Sequence, residues 1–109
     1  IMDFNMYQRS ASETAVYAEE YKVMYPALGL AGEAGEVANK VKKVFRDGTD
    51  NLPENWKGNI ASEIGDVLWY CAALASDLGY SLEDIAGENL KKLSLRKKEN
   101  KIKGSGDLR

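Results

Sequence analysis

Four acidic side chains occur in two short segments of similar sequence. Residues 31–37 read AGEAGEV and residues 61–67 read ASEIGDV, so each segment has two carboxylates three positions apart with a glycine between them. In a helix, positions i and i+3 lie on one face, so both acids of a segment would project together. Four carboxylates that converge require a cation, because unpaired like charges repel. The spacing predicts a Mg²⁺ site, with Mn²⁺ as a substitute, built from four acids: Glu33, Glu36, Glu63 and Asp66.

A single Glu-x-x-Glu pair is typical of a solvated helix surface and would not by itself indicate a metal. The second, matching copy favours a metal site over that reading. Each pair also combines like-charge repulsion with a glycine inside a helix, which costs about 1 kcal/mol relative to alanine. If Gly35 and Gly65 lie where the two helices cross, close approach of the backbones would bring the four acids together. Gly29, Gly32 and Gly35, at a spacing of three, also mark a narrow strip where another backbone could approach closely.

The absence of histidine narrows the chemistry further. A Ser-His-Asp or Cys-His pair, a histidine-zinc site and the Glu-x-x-His ligands of a di-iron bundle are all excluded. Cys71, the single cysteine, lies in the apolar run VLWYCAALA, so we expect a buried structural thiol rather than a nucleophile. No G-x-x-x-x-G-K-[ST] segment is present, which excludes a P-loop nucleotidase.

Basic and amide side chains accompany the acids at helical spacing. An acidic metal site beside such residues suits a polyphosphate, because the metal and lysine share the phosphate charge and arginine binds oxygens bidentately. A solvated basic face and nucleic-acid binding are the alternatives, but duplex binding fits poorly with clustered carboxylates, and we expect no stable nucleic-acid partner. The candidate substrate-binding residues are Lys40, Lys43, Asn89, Lys92 and Arg96.

The sequence predicts that four helices position these residues. Apolar side chains recur at helical spacing, no convincing strand pattern is present, and glycines, a proline and a serine supply helix ends and starts. The expected helices run from Asn5 or Ser10 to Tyr25, from Pro26 to Gly48, from Pro53 or Asn55 to Gly79, and from Ser81 to about residue 100, followed by a tail over about residues 100–109.

The size and composition bound the fold class. With 109 residues, 44% of them hydrophobic, the chain is long enough for one core and too short for two ordinary domains. We predict an all-α, four-helix-bundle-like single domain that forms a homodimer or homotetramer, because a small bundle often buries further apolar surface by association. No apolar run is long enough for a membrane span and no leader is visible, so we expect a cytoplasmic protein.

Longer segments carry a family resemblance. ALGLAGEAGEVANKVKKVFRDG, SEIGDVLWYCAALASDLG, NLKKLSLRK and the ending GSGD resemble the MazG-like nucleoside triphosphate pyrophosphohydrolases in their short single-domain form, over nearly all of residues 1–109. The shared pattern is E-x-x-E, a gap of 26 residues, then E-x-x-D. Several relatives have a second glutamate where this chain has Gly32, so the identity of the general base stays open.

The resemblance implies an all-α fold, a dimer or dimer of dimers, and Mg²⁺ held by the four acids. It also implies hydrolysis of (deoxy)nucleoside triphosphates to monophosphate and pyrophosphate, with substrate contacts from Asn89 and Lys92. We expect in-line attack by a metal-bound or carboxylate-oriented water, without a covalent intermediate. Two alternatives remain: a phosphoribosyl-ATP or dUTP/dCTP-preferring pyrophosphohydrolase of the same fold, and a non-catalytic Mg²⁺- or nucleotide-binding regulatory module.

Overall fold

The computed structural model describes residues 1–99, and these contain four α-helices and no strand. The all-α expectation is confirmed for this part of the chain, whereas the expected tail at residues 100–109 lies outside it. Within residues 1–99 we find no helix with the length and apolar character needed to cross a membrane. The helices are α1 (Phe4–Ser12), α2 (Met24–Asp47), α3 (Trp56–Leu78) and α4 (Leu82–Lys98), with short 3₁₀ turns at Glu19–Tyr21 and Thr49–Asn51.

The long helices α2 and α3 form the most extensive contact in the fold. Their ends follow the local chemistry of the sequence. Pro26 lies in the first turn of α2, and glycines with positive φ terminate both helices, Gly48 at 74° and Gly79 at 82°. Ser81 caps α4 by accepting a hydrogen bond from the backbone N–H of Asp84 at 3.0 Å, as predicted.

Helix α1 is much shorter than predicted. It begins at Phe4 rather than at Asn5 or Ser10, because the Asp3 carboxylate accepts a hydrogen bond from the N–H of Met6 at 2.8 Å and caps the helix. It ends at Ser12, so the predicted helix through Tyr25 is wrong for residues 13–23.

Side-chain hydroxyl groups account for this early end. Ser12 Oγ donates to the carbonyl of Arg9 at 2.7 Å, and Thr14 Oγ1 donates to the carbonyl of Ala11 at 2.8 Å. Such local bonds compete with the helical hydrogen bonds. Thr14 Oγ1 also accepts from the indole N–H of Trp69 on α3 at 2.8 Å, so a tertiary contact holds the chain at the point where it leaves the helix.

The segment between α1 and α2 is attached to α3 through Asp77. Its carboxylate accepts a hydrogen bond from the Tyr17 hydroxyl at 2.7 Å and from the backbone N–H of Val23 at 2.9 Å. Val23 has a φ of 69°, a conformation that is strained for a β-branched residue. Asp77 therefore stabilises the turn from which α2 starts.

A small core joins α1, α3 and α4 near the end of α3. Buried Ala11, Ala72 and Leu82 contact one another, and half-buried Cys71 packs against them. Burial raises the pKa of the Cys71 thiol, which supports a structural role. Beyond its first turn α4 is largely exposed, with Leu90 68% exposed, so the four helices form an open arrangement rather than a closed bundle.

Gln8 connects α1 to the junction between α3 and α4, and its removal should destabilise the fold. Its amide Nε2 donates to Ser76 Oγ at 2.9 Å and to the Tyr80 carbonyl at 3.0 Å, and its Oε1 accepts from the Leu82 N–H at 2.7 Å. At about 1 kcal/mol per hydrogen bond, Gln8→Ala is expected to lower the free energy of unfolding by about 2–3 kcal/mol in urea denaturation. The neighbouring Arg9→Ala should change it by less than about 0.5 kcal/mol; equal effects would contradict the assignment.

Candidate metal centre

Three of the four predicted acids converge between α2 and α3. Glu33 from α2 and Glu63 and Asp66 from α3 each place one carboxylate oxygen within 4.8 Å of the others. Glu33 and Glu63 are half-buried, whereas Asp66 is exposed. Glu36 is exposed and lies outside this group, so its role as a fourth ligand stays a prediction.

Repulsion among the three carboxylates is reflected in the pKa of Glu33. The pKa of Glu33 is raised, first by a hydrogen bond with Glu63, then by desolvation and by the negative charges of Asp66, Glu63 and Glu36. A proton held between two carboxylates reduces their repulsion. A divalent cation bound by the same oxygens would remove the repulsion without the proton, so the donor set fits a hard metal ion such as Mg²⁺.

Lys40 is the cation that the structure places at this cluster. Its Nζ lies 3.7 Å from Oε1 of Glu63, with the two side chains 34% and 18% exposed. The predicted position of Lys40 beside the acids therefore agrees with the fold. Lys43 is exposed one turn further along α2, and its charge contributes to the lowered pKa of Asp47, after the larger effect of the Arg46 hydrogen bond.

The candidate substrate residues of α4 lie elsewhere on the surface. Asn89 and Lys92 line an open recess together with Tyr80, and none of the four acids contributes to its lining. Arg96 is half-buried near the end of α4. Substrate contact by these three residues stays a prediction.

The glycines of the two acidic segments do not have the role expected of them. A Cβ added at Gly35 or Gly65 would meet no atom within 4 Å, so neither glycine lies at the α2–α3 contact, and that expectation is wrong. Close approach occurs at Gly29 instead, where a Cβ would overlap the ring of Tyr70 on α3. The missing side chain at Gly29 leaves the space that the ring occupies one turn before Glu33.

Tyr70 lies beside the acids, and its ring neighbours that of Tyr25, which in turn stacks on Tyr17. The sequence favours a core or interface role for each of these tyrosines, with stacking of one or two on a nucleobase as the alternative. The pKa of Tyr70 is raised, first by a hydrogen bond with Tyr25, then by burial, and also by the nearby charges of Tyr25, Glu33 and Asp66. The rings of Tyr25 and Tyr17 stack with centroids 4.8 Å apart. The available signal was spacing: Tyr70 follows Glu63 by seven residues, close to two helical turns.

The comparisons with known proteins establish the family of this chain. The family model of the MazG nucleotide pyrophosphohydrolase domain matches residues 25–100, which include all four acids. The chain therefore belongs to the MazG nucleotide pyrophosphohydrolase family, and the resemblance drawn from the motifs is confirmed. It is also 41% identical, over 114 residues, to the Gene 37 protein of Mycobacterium phage L5, covering 99% of this chain and 100% of that protein. No solved structure matches the chain.

Proposed function

We propose that this protein hydrolyses (deoxy)nucleoside triphosphates to the monophosphate and pyrophosphate, with Mg²⁺ held by Glu33, Glu36, Glu63 and Asp66. The observation that carries the proposal is the convergence of three carboxylates from two helices within 4.8 Å. Membership of a nucleotide pyrophosphohydrolase family supports the reaction class. Mn²⁺ is expected to substitute, because the donors are all oxygen atoms.

The carboxylates and Lys40 have different roles in the proposed reaction. When bound, the metal ion supplies charge neutralisation and lowers the pKa of coordinated water. The carboxylates orient the attacking water and accept its proton, and the ammonium group of Lys40 stabilises negative charge on the departing pyrophosphate. No side chain at the site is an activated nucleophile, so water attacks directly.

Other functions compatible with the family are distinguished by product and by substrate. A panel of nucleoside and deoxynucleoside triphosphates with phosphoribosyl-ATP, assayed with Mg²⁺, should release pyrophosphate from at least one compound. A preference for phosphoribosyl-ATP, dUTP or dCTP would assign the narrower activity. Orthophosphate as the product would contradict the mechanism, and no turnover with any compound would favour a binding module. A cytoplasmic location and the absence of a stable nucleic-acid partner stay predictions.

Metal removal should affect activity far more than folding. EDTA is expected to abolish pyrophosphate release while lowering the melting temperature by only a few degrees. The reason is that α2 and α3, which carry the acids, already contact each other extensively through other side chains. The measurement is a thermal melt and a rate assay on the same sample, with Mg²⁺ restored as the control. Outright unfolding in EDTA would instead indicate a structural metal.

The outer face of α2 supports a homodimer, with a tetramer formed by pairing of dimers. At about 100° per residue, Val41 and Phe45 lie together on the side of α2 opposite Glu36, and they are 37% and 87% exposed. Ala31, Ala34 and Ala38 precede them on the same side of α2, so this stripe is apolar and open to a second copy.

Disrupting this stripe should change the oligomeric state. Phe45→Glu is expected to shift the protein to monomer in light scattering coupled to size exclusion, because burial of a carboxylate in an apolar interface is costly. Thr49→Glu, at an exposed position just beyond α2, should leave the state unchanged. An unaltered mass for Phe45→Glu would exclude this face as the interface.

A further inference from the structure

One face of α2 and one face of α3 adjoin each other, and they form a surface whose chemistry changes along its length. On α2, successive residues of the stripe are four, four, three and four positions apart, which keeps them on one side of the helix. The facing stripe of α3 is spaced by four and three positions. The α2 stripe consists of Tyr25, Gly29, Glu33, Glu36 and Lys40, and the α3 stripe of Tyr70, Asp66 and Glu63.

Contacts between the two helices establish the order of these groups. The Tyr70 ring lies against Gly29, the Glu63 carboxylate meets that of Glu33, and Lys40 lies 3.7 Å from Glu63. This surface is therefore aromatic at one end, acidic in the middle and basic at the other end. With a rise of 1.5 Å per residue, Tyr25 and Lys40 lie about 12 Å and about 10 Å from Glu33 along the helix axis.

The aromatic end presents a fixed flat surface. Tyr25 stacks on Tyr17 with an interplanar angle of 28°, and its ring centroid lies 6.2 Å from that of Tyr70. Asp77 in turn accepts the hydrogen bond of the Tyr17 hydroxyl, so the stack is anchored to α3. Tyr25 is nevertheless 46% exposed. A ring that is fixed on one side and exposed to water on another can stack a planar ligand with little further loss of entropy.

We propose that a nucleoside triphosphate lies along this surface in one direction, with its base on Tyr25 and its β- and γ-phosphates at Lys40. This orientation rests on the proposed function. The opposite orientation would set the phosphates against the negative faces of tyrosine rings and leave the only ammonium group of the stripe beside the base. Bound in the proposed direction, the terminal phosphates take the place of Glu63 as the partner of Lys40.

The orientation also assigns the direction of the bond cleavage. The water oxygen forms a bond to the α-phosphorus, and the bond from that phosphorus to the bridging oxygen breaks. The proton released by water passes to a carboxylate of the site. Pyrophosphate leaves toward Lys40 with the bonding electron pair, and the monophosphate remains at the tyrosine end.

Binding measurements test the orientation without turnover. The probes are the non-hydrolysable α,β-imido analogues of the four deoxynucleoside triphosphates, compared with inorganic tripolyphosphate, in calorimetric titrations with Mg²⁺. Tyr25→Leu is expected to weaken the tightest analogue by about 5- to 100-fold, the range for loss of base stacking, and to leave tripolyphosphate binding unchanged. Tyr25→Phe keeps the ring and should restore most of the affinity.

Two further variants complete the test. Tyr21→Leu, at an exposed tyrosine of the same segment, is the control and should alter neither affinity. Lys40→Met should weaken the analogue and tripolyphosphate alike, because both place phosphates at the basic end.

Three results would overturn the orientation: no binding of any analogue, equal losses for both probes in Tyr25→Leu, or a loss in Lys40→Met confined to the nucleotide analogue. These results are separable from failure of the proposed function. Absence of pyrophosphate release together with Tyr25-dependent binding would refute the enzyme and keep the orientation.

Discussion

Glu63→Gln is expected to reduce pyrophosphate release by at least about 100-fold. Glu63 belongs to the group of converging acids and also forms the ion pair with Lys40. Glutamine keeps the shape of the side chain but removes the negative charge that would hold the metal. The same variant should weaken Mg²⁺ binding, which calorimetry measures independently of the rate.

The metal-free stability of Glu63→Gln separates a site defect from a folding defect. Removal of one of several mutually repelling charges should leave the melting temperature unchanged or slightly higher. Glu20→Gln, an exposed acid in the segment between α1 and α2, is the matched control and should keep the wild-type rate. A wild-type rate for Glu63→Gln would exclude this cluster as the catalytic centre.

Gly29→Ala is expected to destabilise the fold by about 1–3 kcal/mol, although alanine favours helix. A Cβ at this position would overlap the Tyr70 ring, which must then move away from α2 and from Tyr25. Because that ring borders the acids, pyrophosphate release should fall as well. Urea denaturation and the rate assay measure the two effects.

Gly32→Ala is the matched control, three residues along the same helix. A Cβ there meets no atom within 4 Å, so the substitution should gain the helix preference of alanine and raise stability by up to about 1 kcal/mol. Opposite signs for the two variants are the expected result. If both glycine-to-alanine changes raised stability equally, the close contact between α2 and Tyr70 would be wrong.

The helix ends illustrate how far local chemistry predicts structure. Gly48, Gly79 and Ser81 terminate or cap helices as their residue types suggest, because these effects depend on neighbours within one turn. The end of α1 could not be predicted in this way. Thr14 Oγ1 accepts a hydrogen bond from the indole N–H of Trp69, which lies 55 positions away in the sequence. A pattern of neighbouring residues cannot predict such a contact.

The candidate metal centre likewise has features that the sequence predicts and features that only the structure shows. The sequence alone determined that two helices each carry a pair of acids on one face, because the i, i+3 relation is a property of any helix. The register between α2 and α3 decided which acids meet. It placed Glu33 with Glu63 and Asp66 and left Glu36 outside the group. It also restricted the close approach to Gly29, with none at Gly35 or Gly65. That register depends on side chains packing between helices, so only the tertiary structure contains it.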